Sequence, residues 1–348
     1  MPNDNNIPST VAGYNICERI GSGSFSSVFK AVSTSPGPNG VRTTVAIKVM
    51  DMLAANASKL TSDCVVSEIR ILKSLKHRFL FFFLSSSISV CTWDRNNIYL
   101  IMEFCGGGDL GSFIKLYGSL PEAITRRLFC QLASAIQYMR ALNVAHMDLK
   151  PQNILLTNRY KPFIKISDFG LSQYLKNDEH ASSFRGSPLY MAPEILCHGP
   201  YDSRVDLWSC GVILYECLYG MPPFTADAYE NLVDQILSQR SINFPMNVRL
   251  SFDCLDLLQA LLVRNPRHRI TFERFFAHPF VGLAKAASFA EIEKADNYVE
   301  KSRQAEAESV RFFFDLTAAV PSPVVCDRPC LFLICRSTPY RGLGSKTR

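Results

Sequence analysis

Apolar residues in the first hundred positions recur in short runs that are β-branched and aromatic, the pattern of strands packed on one side. The runs YNICERIGSGSFSSVFKAV, TTVAIKVM and NIYLIMEF are separated by Gly and Pro clusters, so the stretch from Tyr14 to about Cys105 predicts a small sheet. One helix interrupts it, from about Ser62 through Leu75, with Val65, Ile69 and Leu72 at helical spacing.

From Asp109 to Phe280 the spacing becomes mostly helical. PEAITRRLFCQLASAIQYMRALN places Pro121 near a helix start and puts Ile124, Leu128, Leu132, Ile136 and Met139 on one stripe. DLWSCGVILYECLYG is a second long apolar helix. The chain therefore predicts an α+β protein with two lobes: a small sheet with one helix over 14–104 and a larger helical lobe over 108–280, joined near MEFCGGGDL. A third segment opens with the capping box Ser288 and Glu291, and an amphipathic helix through Phe289, Ile292, Ala295, Tyr298 and Val299 is expected within 284–310. Residues 311–348 read as an irregular basic tail, and no tandem repeat is visible.

With 47% hydrophobic and 20% charged residues in 348, the composition is that of a soluble globular protein. The formal net charge of +6 changes the picture less than it suggests. The last stretch holds Arg328, Arg336, Arg341, Lys346 and Arg348 against Asp327 alone, so the body is near neutral. No basic stripe remains for a nucleic acid. Twelve cysteines behind the polar start MPNDNNIPST point to free thiols in a reducing, cytoplasmic setting without a signal peptide. Cys326, Cys330 and Cys335 lack a fourth ligand at zinc-like spacing. The run FLFFFL is too short to span a bilayer, so no transmembrane segment is expected.

The candidate chemistry lies in a series of short motifs. Gly21-Ser22-Gly23-Ser24-Phe25-Ser26-Ser27-Val28 joins two strand-like runs, and its glycines let backbone amides approach a phosphate, although Ser26 stands where a third glycine would complete the pattern. Lys48 in VAIK projects from a strand, and Glu68 on the following helix can fix its direction toward phosphate oxygens. HMDLKPQN supplies Asp148 as base or orienter for a hydroxyl, Lys150 as a cation for the transferred group, and Asn153 as a neutral oxygen ligand for Mg²⁺. ISDFG adds the carboxylate of Asp168 for the same metal. GSPLYMAPE adds Glu194, for which Arg269 in NPRHRI is a plausible buried partner.

Each motif alone has a bland reading, but their order matches the protein-kinase signature set. Over about residues 14 to 280 the chain resembles a protein kinase. NIYLIMEFCGGGDL, HMDLKPQNILL, RGSPLYMAPEIL and VDLWSCGVILYECLYGMPPF are similar to the autophagy-initiating Unc-like serine/threonine kinases, in particular the branch with C-terminal MIT domains. The resemblance implies the two-lobed kinase fold with an antiparallel N-lobe sheet, and transfer of the ATP γ-phosphate to Ser/Thr hydroxyls of protein substrates, with ATP and Mg²⁺. Lys150, two residues after Asp148, favours Ser/Thr over Tyr. It further implies that Ile20, Gly21, Gly23 and Val28 cover ATP, Ala46 lines the adenine slot, Met102 is the gatekeeper, and Glu103 and Cys105 offer hinge backbone. Lys48 would bind the α and β phosphates with Glu68 as its pair, Asp148 would be the catalytic base, and Asn153 and Asp168 would hold Mg²⁺. Asp206 would brace the catalytic loop. The alternative from another class is a pseudokinase, a binding scaffold that keeps the nucleotide pocket and lacks the chemistry.

Two departures from the family pattern stand out. Met147 occupies the place of an arginine that, in other kinases, needs a phosphate on the activation loop to neutralise it. Activity independent of Ser182 and Ser183 phosphorylation is therefore expected. The run RFLFFFLSSSISVCTWD is longer and more aromatic than a family strand, and its Phe-Leu-Ser composition is also what a translated polypyrimidine tract would look like. As a strand it should lend one apolar side chain to a stack of Leu72, Phe169 and His146, and if exposed it would favour aggregation. The C-terminal region, 284–310, offers one helix where an MIT bundle needs three; it reads as a remnant of such a domain rather than a working one, which puts the trafficking-machinery partner that the resemblance implies in doubt.

Overall fold

The computed structural model describes residues 7–22, 26–37, 39–52, 59–81, 91–175 and 186–282. The expected helix from Ser288, the tail over 311–348, Cys326, Cys330 and Cys335, Gly23, Ser182 and Ser183 lie outside the described residues.

Six strands form one antiparallel sheet in the order β1-β2-β3-β4-β6-β5: β1 (Thr10–Val11), β2 (Tyr14–Ser22), β3 (Ser26–Ser33), β4 (Thr44–Asp51), β5 (Cys91–Trp93) and β6 (Asn97–Glu103). Lys48 lies opposite Val28 on β3 and Leu100 on β6, and Ala46 lies opposite Met102. Because side chains alternate, this register collects Val28, Ala46, Lys48, Leu100 and Met102 on one face. The opposite face carries Phe29, Val45, Ile47, Val49, Tyr99 and Ile101, which close with Val11, Tyr14 and Ala31 into a core of their own. The sheet is thus dry on its outer side, and its other side turns to helix α1 (Lys59–Ser74), whose Ile71 and Leu72 are buried with Met50, Leu100 and Met102.

The second lobe contains α2 (Leu110–Tyr117), α3 (Glu122–Ala141), α4 (Pro193–Leu196), α5 (Val205–Tyr219), α6 (Tyr229–Leu237), α7 (Phe252–Leu261) and α8 (Phe272–Ala277). Asp109 caps α2, accepting from the Ser112 amide at 2.8 Å, an interaction of about 1 kcal/mol in typical helices. The predicted stripe of α3 is buried throughout, and α5 is buried nearly all round. The two-lobed kinase fold is the one the sequence implied.

Two short ladders in this lobe were not expected from a helical reading. β7 (Val144–Ala145) pairs with β10 (Gln173–Tyr174), and β8 (Ile154–Leu156) pairs with β9 (Ile164–Ile166). Strands of two or three residues carry no detectable periodicity. They frame the loop from His146 to Asn153 and the segment from Ser167 to Ser172. The start of the aromatic run joins them: the Phe81 amide donates to Ile166 O at 2.8 Å and the Ile166 amide to Phe79 O at 3.0 Å. Phe79 to Phe81 therefore extend the β8–β9 ladder, with Leu80 and Phe81 buried, and the sheet resumes at Cys91. Residues 82–90 lie outside the described residues.

Candidate active site

The cleft face of the sheet brings Lys48 toward two carboxylates. Its Nζ lies 2.6 Å from Glu68 Oε1 on α1 and 3.6 Å from Asp168 Oδ1 in the second lobe. Burial alone would push the Lys48 ammonium down, but Glu68 and Asp168 outweigh it and hold it above its usual value. Burial would likewise raise Asp168, yet Lys48, His146, Lys150 and the Gly170 amide hold it below the ordinary carboxylate range. Asp168 sits in the left-handed region at φ 62°, with its side chain half exposed.

Across the cleft, the loop after β7 is clamped from below. Buried Asp206, near the start of α5, accepts from the amides of His146 at 2.8 Å and Met147 at 2.9 Å. These two bonds hold Met147 at φ 70°, a conformation that costs an L-residue about 1–2 kcal/mol. Burial raises the Asp206 pKa, opposed by the charge of His146 and by the two amides. The His146 ring packs 5.0 Å from Phe169 and its Nε2 lies 3.0 Å from Ser167 O, while Leu72 is buried in the same core. Met147 is buried too and lines a small cavity with Asp148, Ser187, Tyr190, Met191, Ile195, Val205 and Ser209, so an uncharged side chain stands there among polar and apolar neighbours.

The Asp148 carboxylate is oriented on both oxygens. Ser187 Oγ donates to Oδ1 at 2.9 Å, and Lys150 Nζ and Asn153 Nδ2 donate to Oδ2 at 2.8 and 3.0 Å. Lys150 also donates to Ser187 Oγ at 2.7 Å, closing a triangle. Asn153 Nδ2 further donates to Asp148 O at 2.8 Å, which leaves Oδ1 as the ligand-type atom of that side chain. Ser167 ties Asn153 to the Asp168 segment, its amide and Oγ donating to Asn153 O at 2.9 and 3.1 Å. An amide oxygen and a carboxylate are the hard donors that Mg²⁺ accepts, so this pair fits the metal that the resemblance implies.

Ser187 was not anticipated, because a single hydroxyl in GSPLYMAPE carries no pattern. Its neighbour Gly186 has φ 111°, and a Cβ there would lie 2.9 Å from Met147 O, so only glycine lets the two loops approach. Further along, Arg269 makes the expected buried pair with Glu194, at 2.8 Å through both NH1 and NH2.

The other sequence candidates fall as follows. Ala46 and Met102 are buried beside Lys48, Val28 is half-buried, Gly21 lies opposite Val28, and Ile20 is 45% exposed. Glu103 ends β6, its carboxylate 2.8 Å from Lys165 of β9. Cys105 is half-buried, its thiol pushed up to about 12 by burial first and by Glu103 next, with Lys165 opposing. Cys17, Cys91, Cys105, Cys130, Cys197, Cys210, Cys217 and Cys254 are free thiols, and among the described residues no helix is long and apolar enough to cross a membrane and no group of three His, Cys, Asp or Glu side chains is placed to hold a metal.

A cleft between a sheet lobe and a helical lobe, with a lysine–glutamate pair on one side and an oriented aspartate on the other, defines a phosphoryl-transfer class of site. Residues 14–281 match the protein kinase domain, and the chain belongs to the protein kinase family. It is 44% identical over 296 residues to serine/threonine-protein kinase ULK3 of Rattus norvegicus, covering 85% of this chain and 60% of that protein. Its identity to ULK3 of Mus musculus is 46% over 271 residues, covering 78% and 55%. To serine/threonine-protein kinase ATG1c of Arabidopsis thaliana it is 40% over 282 residues, covering 80% and 37%. The chain thus spans about 60% of the length of the ULK3 relatives it matches.

Proposed function

We propose that the chain is an active serine/threonine protein kinase that moves the γ-phosphoryl group of ATP to Ser/Thr hydroxyls of protein substrates. The observation that carries this reading is the Asp148 carboxylate, oriented by Ser187, Lys150 and Asn153 while Lys48 stands within reach of both Glu68 and Asp168. Asp148 accepts the proton of the acceptor hydroxyl, and Lys150 faces the charge that develops on the transferred group. Lys48, aimed by Glu68, holds the α and β phosphates. Ile20, Gly21, Gly23, Val28, Ala46 and Met102 enclose the nucleotide, and the backbones of Glu103 and Cys105 meet the adenine edge. Asn153 and Asp168 would hold Mg²⁺, which when bound would neutralise the phosphate charge. The chain's own contribution is in-line positioning, which brings a bimolecular step into one frame.

In this reading the kinase domain occupies 14–280, with lobes at 14–104 and 108–280, and residues 284–310 and the basic tail 311–348 lie outside the described residues. The resemblance to the Unc-like kinases supports a cytoplasmic place in autophagy initiation. Nothing among the described residues favours the scaffold alternative, since Lys48 meets Glu68 and Asp168, and Asn153 meets Asp148. The test is phosphate transfer from Mg-ATP to a generic basic protein, with Asp148→Asn as the blank. Transfer by the wild type and loss of about a thousandfold in the blank are expected; equal traces from both would leave the scaffold reading standing.

A further inference from the structure

We infer that Lys165 and Glu103 form a positioning pair that fixes the hinge against the strand leading to Asp168, and thereby sets how tightly nucleotide is held. The inference rests on the reading of the cleft as a nucleotide site. The Lys165 Nζ lies 2.8 Å from Glu103 Oε1, with the two side chains only 8% and 18% exposed. Neither belongs to the signature motifs.

Their places in the fold give the pair its reach. Glu103 is the last residue of β6, opposite Val45, so strand alternation turns its side chain away from Met102, Ala46 and the cleft face. It meets nucleotide, in this reading, through backbone alone. Lys165 is the middle residue of β9, opposite Leu155, and Ser167 and Asp168 follow at once. The pair therefore ties the strand that enters the hinge to the strand that delivers the metal-binding carboxylate. A second tether lies just beyond: the Gly107 amide donates to Leu156 O at 2.9 Å, and a Cβ on Gly107 would lie 2.7 Å from that oxygen. The short segment from Phe104 to Gly106 is thus held at both ends, by a side-chain pair to β9 and a backbone bond to β8.

Stability alone does not explain a buried ion pair at this place. Desolvating two charges offsets most of their attraction, and well-packed apolar residues usually serve a core as well. A paired lysine and carboxylate instead fix a direction and a distance. The pair stands apart from the cleft's own charges, in which Lys48 meets Asp168 and Glu68 of α1. Cys105, two residues after Glu103, lies near both charges: burial raises its thiol most, Glu103 raises it further and Lys165 opposes. Releasing the pair lets the lobes open further, so nucleotide leaves faster.

The experiment is equilibrium and stopped-flow binding of a fluorescent ADP to the purified full chain, with acceptor-peptide kinetics at saturating ATP alongside. Lys165→Met should weaken ADP by about three- to tenfold, mostly through a faster off-rate, with the acceptor KM within about twofold of wild type. Lys165→Arg, which keeps the charge, should bind ADP as the wild type does. Should the Met variant fail to melt cooperatively, Glu103→Gln, close to isosteric, takes its place and must show the same weakening. A folded Met or Gln variant with wild-type ADP affinity, an Arg variant as weak as Met, or an acceptor KM that rises in step with the ADP loss would each overturn the inference. A wild type that binds no ADP would instead overturn the nucleotide reading beneath it.

Discussion

The two sides of the cleft are held by different means. On the Asp148 side, every orienting contact comes from the same lobe: Lys150 and Asn153 lie within five residues, Ser187 arrives from the neighbouring loop, and Asp206 clamps the backbone. On the Lys48 side, one ammonium must meet a helix 20 residues away and a carboxylate on the other lobe. The first is a local network that folding of one lobe completes. The second exists only while sheet, helix and second lobe are in register, so it is the side that a conformational change can open.

The largest effect expected is that of Asp148→Asn, which removes the carboxylate proposed as proton acceptor and keeps its shape. Steady-state kinetics should show kcat down about a thousandfold with the KM for ATP within about threefold. A raised KM with unchanged kcat would mean that the local side is a binding device and would break the contrast.

Glu68→Gln probes the other side. It keeps the shape of α1 but removes the charge that directs Lys48, so the expected loss in kcat/KM is about ten- to a hundredfold, shared between kcat and the KM for ATP. An effect confined to the acceptor KM would contradict the assignment.

Smaller again is Ser187→Ala. Asp148 Oδ1 loses its donor and Lys150 one of its two partners, and a rate loss of about tenfold is expected, reversed by Ser187→Thr. If Thr is as poor as Ala, the hydroxyl is not what orients Asp148.

Stability against pH separates the two sides most gently. Asp206 has its pKa raised by burial above 3.8, so the wild type binds a proton there more readily when folded. Its stability relative to Asp206→Asn should therefore grow as the pH falls from neutral toward about 4. In Asp168 the pull of Lys48, His146 and Lys150 exceeds the effect of burial, and its pKa lies below 3.8. The stability it contributes is complete above 3.8 and fades only below that, so the gap to Asp168→Asn should stay flat over the same range. Urea midpoints of the three proteins at several pH values check both; a flat Asp206 gap or a sloping Asp168 gap would reverse the assignment.

How much of this was legible in the sequence follows from the same contrast. HMDLKPQN and ISDFG were readable because the local network needs particular residue types a few positions apart. Lys48 and Glu68 were readable only as members of an ordered set, since nothing near either one announces a partner. Ser187 was not, and neither was the pairing of Phe79 to Phe81 with Ile166, where an aromatic run that reads as a sheet strand instead joins a ladder far along the chain. Lys165 shows the limit most plainly: no motif marks it, yet it is 6% exposed and paired with Glu103 of the other lobe. Burial of a charge cannot be read from sequence when the compensating group is distant.

The central claim is that the Asp148 side is assembled without a phosphate on the activation loop, because Met147 puts a buried, uncharged side chain where the family pattern has an arginine. The direct measurement is the phosphotransfer rate of protein stripped by phosphatase, its mass confirming the loss of phosphate, beside the Ser182→Ala/Ser183→Ala variant. The account predicts that both keep their rate within about twofold of the untreated wild type, whereas a drop of about tenfold or more in either would contradict it.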